Sequence, residues 1–393
     1  MKASFKGLFV FHIFATILLF LYSFTQIDLN LTLSQIAIWQ TIQRSFQQIG
    51  FFQRPLSTAL FITILIFLFT SYLWILYLSY KEKISRKTFW TLFLITSAVL
   101  VFSYNAFSYD LFNYIFDAKI LTHYHLNPYF HKALDFPGDP MLLFMRWTHR
   151  LYPYGPLWLG ITIPLSFLGM GFFLPTLFIF KIAVGGLFVG SVYFLEKILE
   201  EAKNPNKLFA LSLFAFNPLV LIESLVSSHN DIVMVFFAIF GIYLFLRRKI
   251  VLSVVLIIIS YLVKSVTIFL LVPIAVSVLG QFAKYKITKD YFFRLCLVFM
   301  LLGLAYVLTR FEIQPWYFLW ILPFVSVIKP NKFVVSQVIC VSLGLLLTYA
   351  VFISQGNYVN IVQYKIIILL VSAAAGILAP FILIPLFKTK LEL

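Results

Sequence analysis

Residues 250–282 read IVLSVVLIIISYLVKSVTIFLLVPIAVSVLGQF, an apolar run interrupted by a single charge, Lys264. About 20 apolar residues cross a bilayer core, so the run is long for one helix and short for two. A single helix would bury Lys264 near the bilayer centre, where a cation is costly. It would also reverse every later loop and leave the basic segment AKYKITKDYFFR (283–294) outside. Two short helices meeting near Lys264 keep that segment inside, where basic loops accumulate. Residues 250–263 rise only about 21 Å as a helix, so this hairpin is expected to stop below the outer surface and leave a dent.

The same apolar signal runs through the chain. Of 393 residues, 62% are hydrophobic and 11% charged, against about 45–50% and about 25% in soluble domains. Apolar segments recur at 7–24, 57–80, 89–104, 172–196, 207–226, 231–247, 250–263, 266–282, 292–309, 317–328, 333–353 and 365–387. The reading is an all-α, polytopic transmembrane bundle of about 12 helices, one domain over residues 1–393. Strand-like alternation of the β-barrel kind is missing. The basic start and first apolar run resemble a signal peptide. The run is too long for an h-region and no small-x-small cleavage site follows, so it reads as a retained first helix. With the N-terminus in the cytoplasm, most of the 30 basic residues fall on the inside, among them Lys81, Lys83, Arg86, Lys87, Arg247, Arg248 and Lys249. That places both termini in the cytoplasm of a multi-pass plasma-membrane protein. The net charge of +16 punctuates the spans instead of forming a patch, so no nucleic acid is expected as partner. Cys296 and Cys340 lie inside apolar spans without disulfide or metal spacing.

Two long stretches then lie outside, 25–56 and 105–171. The first, with SQIAIWQTIQRSFQQIGFF (34–52), is expected to lie flat on the membrane as a juxtamembrane helix. The second is an extracytoplasmic loop carrying the first acidic motif. It ends in RLYPYGPLWLGITIPLSFLGMGFF (150–173), expected to dip into the membrane and return.

Topology sorts the 14 acidic residues. Glu82, Glu196, Glu200, Glu201, Asp290 and Glu392 sit among basic residues on the inner side and read as solvated loop charges. The outer set adjoins helix ends, where charge is costly and often functional. Asp110 follows the third span. Partial desolvation would make it a better proton acceptor, while its plainer role is to cap the helix that begins there. Asp117, two turns on, shares its face and otherwise reads as a partner for Lys119 or Lys132. Asp135 and Asp139 sit beside Pro137, Gly138 and Pro140 as plain loop residues. In ESLVSSHNDIVMV (223–235), His229, Asn230 and Asp231 form a tight turn, for which Asn and Asp suffice as turn formers. Glu223 sits within a span without a basic neighbour and is expected to reach the same pocket. In TRFEIQPWYFLWILP (309–323), Arg310, Gln314, Trp316 and Tyr317 are either an interfacial belt or a site for a phosphate and a sugar ring. Arg grips phosphate oxygens, and Lys264 at the hairpin tip is a second phosphate cation. No cofactor is required. A divalent metal would use Asp110, His229 and Asp231, a weak ligand set. There is no Walker A loop, no G-x-G-x-x-G and no D-x-D, so a nucleotide-borne substrate is not indicated.

The segments YDLFNYIFDAKILTHYHLNPY (109–129), YPYGPLW (152–158), NPLVLIESLVSSHNDIVMV (217–235) and QPWYFLWILP (314–323) occur in the order seen in GT-C glycosyltransferases. The chain most resembles the bacterial mannosyltransferases that use polyprenyl-phosphate mannose. The resemblance implies a GT-C fold with an active site facing away from the cytoplasm. It implies inverting transfer from a polyprenyl-phosphate sugar to a hydroxyl of a glycan or glycolipid, among membrane lipids. It assigns Asp110 as general base and places Asn127, Tyr154, His229, Asn230, Asp231, Gln314, Trp316 and Tyr317 at the substrates. Arg310 and Lys264 as phosphate ligands follow from charge and position. Two other readings compete: a transporter or flippase with a path along Glu223 and Lys264, and a polysaccharide ligase or polymerase acting on lipid-linked sugars.

Overall fold

A computed structural model describes residues 2–285, 287–328, 331–357 and 361–382, with side chains from Lys6 to Phe381. The last residues of the expected final span, 383–387, and Lys286, Lys329, Lys388, Lys390 and Glu392 lie outside the described residues.

The described residues form helices and no strand, in the order α1 (Lys2–Ser23), α2 (Ala37–Gln47), α3 (Arg54–Tyr80), α4 (Arg86–Val101), α5 (Asp110–Thr122), α6 (Pro156–Leu168), α7 (Phe173–Glu201), α8 (Lys207–Ala215), α9 (Pro218–Leu221), α10 (Asp231–Leu246), α11 (Ile250–Val263), α12 (Leu271–Phe282), α13 (Lys289–Leu308), α14 (Leu322–Val327), α15 (Lys332–Gln355) and α16 (Ile361–Ile382). Each expected apolar span falls on helix, and the chain is an integral membrane protein with a polytopic helical bundle. Among the described residues, seven helical segments are long and apolar enough to cross a bilayer alone, and a bent pair, α8 with 218–226, makes an eighth. Shorter apolar helices, α10 and α11 among them, take up other expected spans. α10 is apolar nearly all round because protein, as well as lipid, covers it, with Ile232, Val233, Met234 and Ile239 all buried.

The 250–282 run is two helices, as expected. α11 ends where Lys264 takes extended backbone (φ −155, ψ 131), followed by a 3₁₀ turn over Ser265–Leu270 and then α12. The α8–α9 bend of 51° sits at Asn217-Pro218. Proline disfavours helix at the residue before it and supplies no N–H. Asn217 makes use of the break, accepting from the Leu219 amide at 3.0 Å and donating to Ser342 at 2.9 Å. α2 turns its glutamines inward: Gln43 donates to the Leu31 carbonyl and Gln47 to the Asp28 carbonyl, while Ile38 and Ile42 are exposed. An outward apolar stripe is what a juxtamembrane helix presents to lipid.

Two acids expected as solvated loop charges or plain loop residues are buried instead. Glu196 is wholly buried and takes a two-pronged contact from Arg86 (2.7 and 2.8 Å) plus the Trp90 indole N–H at 3.1 Å. Asp139 is buried and receives Lys119, the Tyr124 hydroxyl and the Met141 amide. In each case a full set of donors offsets the loss of water that burial costs.

Candidate active site

The site begins at the second break. After α9 the chain widens into a π-turn over Ile222–Val226, a form of helix that recurs at functional sites. Ser228 follows with φ +52, the left-handed region that costs a residue with a Cβ. The next amide, that of His229, then folds back to the Glu223 carbonyl at 3.0 Å. This local path brings Glu223, His229, Asn230 and Asp231 together, all fully buried.

His229 lies between two carboxylates. Its Nε2 is 3.2 Å from Glu223 Oε2, and its Nδ1 is 3.5 Å from Asp110 Oδ2. The imidazole stacks on Trp316 with ring centres 4.1 Å apart. Glu223 accepts from the Tyr349 hydroxyl at 2.9 Å through its other oxygen. Burial opposes the imidazolium, but Asp110 and Glu223 outweigh it and push the His229 pKa up to about 9. Asp110 is the member with access, its side chain 17% exposed against 0% for His229 and Glu223. The capping role expected for Asp110 is not what its carboxylate does. Tyr109 occupies the cap position, Asp110 is the first helical residue, and its amide is bonded to Ser108.

Beside this stands a second pair of opposite sign. Lys264 Nζ donates to both oxygens of Asp231, at 2.8 and 2.9 Å, and the Trp320 indole N–H donates to Asp231 at 2.6 Å. Lys264 also sits 5.9 Å from the Tyr317 ring centre and 5.7 Å from that of Trp320, within cation–π range. Here the cation has access at 23% and the anion at 0%. An accessible carboxylate and an accessible ammonium are thus each backed by a buried counter-charge, and the two backing residues, His229 and Asp231, are two positions apart.

The face of α5 completes the wall. The Tyr114 hydroxyl donates to Asn230 at 3.3 Å, and its ring meets those of Tyr154 and Trp158 edge-on at 5.1 and 5.2 Å. Asp117 has no described ion pair with Lys119 or Lys132, and Lys119 is taken by Asp139. Left without a cation, it is raised to about 8, by burial first and then by the nearby charge of Asp110. Ser224 Oγ, Ser227 Oγ, Asn230 Nδ2 and Trp158 Nε1 are buried and unbonded among the described residues. Such a concentration of unmet donors and acceptors asks for a polar ligand.

Other expected residues stand apart. Asn127 is exposed and turns the chain, its Oδ1 accepting from the Tyr129 amide. Arg310 is exposed in the turn after α13, with its guanidinium 5.0 Å from the ring centre of Tyr306 near the end of that helix, and makes no described contact with the cluster. Gln314 meets Lys365 at 3.5 Å. The residues named for a metal do not suit one: Asp231 is occupied by Lys264 and Trp320, and no group of three or more His, Cys, Asp or Glu is placed to hold an ion among the described residues. Trp320, Tyr349, Tyr114 and Trp158 are contacts that sequence reading missed. Tyr114, Trp158 and Trp320 lay in quoted segments, Tyr114 beside Asn113, while Tyr349 sits in an ordinary apolar span.

The profile of one protein family, described as alpha-(1->6)-mannopyranosyltransferase, N-terminal domain, matches residues 13–280. No curated protein and no solved structure matches the chain.

Proposed function

The chain belongs to the alpha-(1->6)-mannopyranosyltransferase family, and from that premise we propose that it moves a mannosyl group from a polyprenyl-phosphate donor to a hydroxyl of a glycan or glycolipid, at the extracytoplasmic face, with Asp110 as general base. The observation that carries this reading is the buried Glu223–His229 pair ending in the accessible carboxylate of Asp110. Asp110 takes the proton of the acceptor hydroxyl as its oxygen attacks the anomeric carbon. The bond from that carbon to the phosphate oxygen breaks, with inversion, and the electron pair leaves on the polyprenyl phosphate. His229, as the imidazolium, orients Asp110, and Trp316 fixes the imidazole plane.

Lys264 suits the leaving group. It is an accessible ammonium held in place by Asp231, next to the aromatic faces of Tyr317 and Trp320, against which the C–H side of a sugar packs. Preorganised charge of this kind stabilises charge that develops in the transition state. Arg310 has no such support and is not assigned a catalytic role. An outer site and a lipid-linked donor also agree with the lack of any nucleotide-binding motif.

The test is transfer of labelled mannose from polyprenyl-phosphate mannose in proteoliposomes, comparing wild type with Asp110→Asn. Wild-type transfer reduced by roughly 10³-fold or more in the variant is the expected result. Equal transfer by both would remove Asp110 from the mechanism. Transfer from a nucleotide-linked mannose instead would overturn the donor.

A further inference from the structure

Lys181 lies within α7, at a position where an apolar side chain would be ordinary. It is completely buried. Its Nζ donates to the Leu225 carbonyl at 2.7 Å and the Val226 carbonyl at 2.8 Å, and touches Ser228 Oγ at 3.4 Å. No carboxylate lies within ion-pair reach of it among the described residues, so it is not half of a salt bridge. Taking an ammonium out of water costs several kcal/mol unless its protons are met. A lysine kept there for packing alone would be outdone by leucine.

Its partners explain it. Leu225 and Val226 close the π-turn that carries Glu223, and the last carbonyls of a helix lack intrahelical donors and bear its negative dipole end. Ser228, which Lys181 also reaches, holds the left-handed conformation immediately before His229. One turn further along α7, Gly185 keeps the helices close: a Cβ there would stand 2.5 Å from Val101 Cγ2 and 3.4 Å from Leu225 Cδ2. The ammonium therefore sits where three groups of the turn converge, and the imidazole begins one residue later.

We propose that Lys181 is a positioning residue for mannosyl transfer: by tying the Leu225 and Val226 carbonyls and Ser228, it sets the turn that holds His229 between Asp110 and Glu223. The role rests on the reading of Asp110 and His229 as reaction machinery. Lys181 touches neither donor nor acceptor, so its effect falls on turnover and on the imidazole. Donor affinity is left nearly intact.

Lys181→Met keeps length and apolar volume and removes the donors; Lys181→Gln keeps two donors without the charge. Both are purified in detergent and compared with wild type for transfer kinetics and for titration of 15N-labelled histidines. Lys181→Met is expected to lose roughly 10- to 100-fold in kcat, as displaced catalytic groups do, with donor KM within about threefold. The His229 imidazole, raised by Asp110 and Glu223 in wild type, should move toward the ordinary value, the other histidines being unchanged. Lys181→Gln should recover most of both. Unchanged kcat and titration in Lys181→Met would reduce Lys181 to packing, and so would equal loss in kcat and donor binding. Should Lys181→Met fail to fold, Lys181→Gln decides: an imidazole titrating as in wild type supports the role and one at the ordinary value overturns it. Wild-type protein without transfer defeats the mannosyl reading, and the titration alone then judges Lys181.

Discussion

His229 concentrates the chemistry of a few atoms. An imidazole wholly removed from water would ordinarily shed its proton, yet two carboxylates at 3.2 and 3.5 Å hold it on. The sign follows directly. A histidine raised to about 9 contributes stability that is fully present below its ordinary value near 6.5 and is lost as pH rises through about 9. Transfer should show the same alkaline limb, since neutral His229 no longer orients Asp110. Glu223→Gln removes one of the two carboxylates, so the limb should move to lower pH, with kcat down roughly tenfold at neutral pH. A pH–rate profile in proteoliposomes measures both, and a limb that stays at about 9 would detach Glu223 from the imidazole. Glu223 was legible in the sequence as a carboxylate within an apolar span. Its two partners were legible only in part: six residues separate it from His229, but Tyr349 comes from a different part of the chain.

At the scale of elements, breaks in helices do more for the site than helices do. The Asn217-Pro218 break and the π-turn after it could be read in part, since Asn-Pro announces a stop, but a π-turn leaves no periodic trace. The break at Lys264 was legible because charge bias across the membrane decided between one helix and two. Less visible was the difference between a charge in solvent and one beneath a neighbouring helix. Glu196, surrounded by basic residues in sequence, reads as a surface acid, yet it links α7 to α4 through Arg86 and Trp90. Periodicity marks which face is apolar and says little about a long arginine reaching across. Glu196→Gln leaves a buried amide that cannot accept from Arg86 through both of its polar atoms. It should lower stability by on the order of 1 kcal/mol, discounted because Arg86 is half exposed. Thermal unfolding in detergent measures this, and kcat per folded molecule should stay level. A fall in kcat with unchanged unfolding would mean that the C-terminal end of α7 communicates with the site.

For the whole molecule, the matched family region and the site have different boundaries. The profile stops at residue 280, yet the polar residues of the 223–231 segment are finished by residues beyond it. Trp316 stacks on His229, Trp320 donates to Asp231, and Tyr349 donates to Glu223. Trp316 walls the buried imidazole, Tyr349 meets the Glu223 oxygen that faces away from His229, and Trp320 adds a donor to the pair Asp231 makes with Lys264; an unmet buried polar group costs about 1–3 kcal/mol. Residues 13–280 therefore hold the Asp110 carboxylate without all the residues that pack and bond its surroundings. The segment joining α12 to α13 offers the place to ask this, because residues 283–285 are exposed and Lys284 already turns the chain with φ +56. A chain cut after Lys284 and expressed as two pieces in one cell should reassemble, since α13 packs on the 3₁₀ turn after Lys264 and α15 on α3. Transfer should return only with both pieces present. The N-terminal piece alone should be inserted in the membrane and inactive, and activity from it would show that the aromatic residues beyond 280 are packing around a site complete without them.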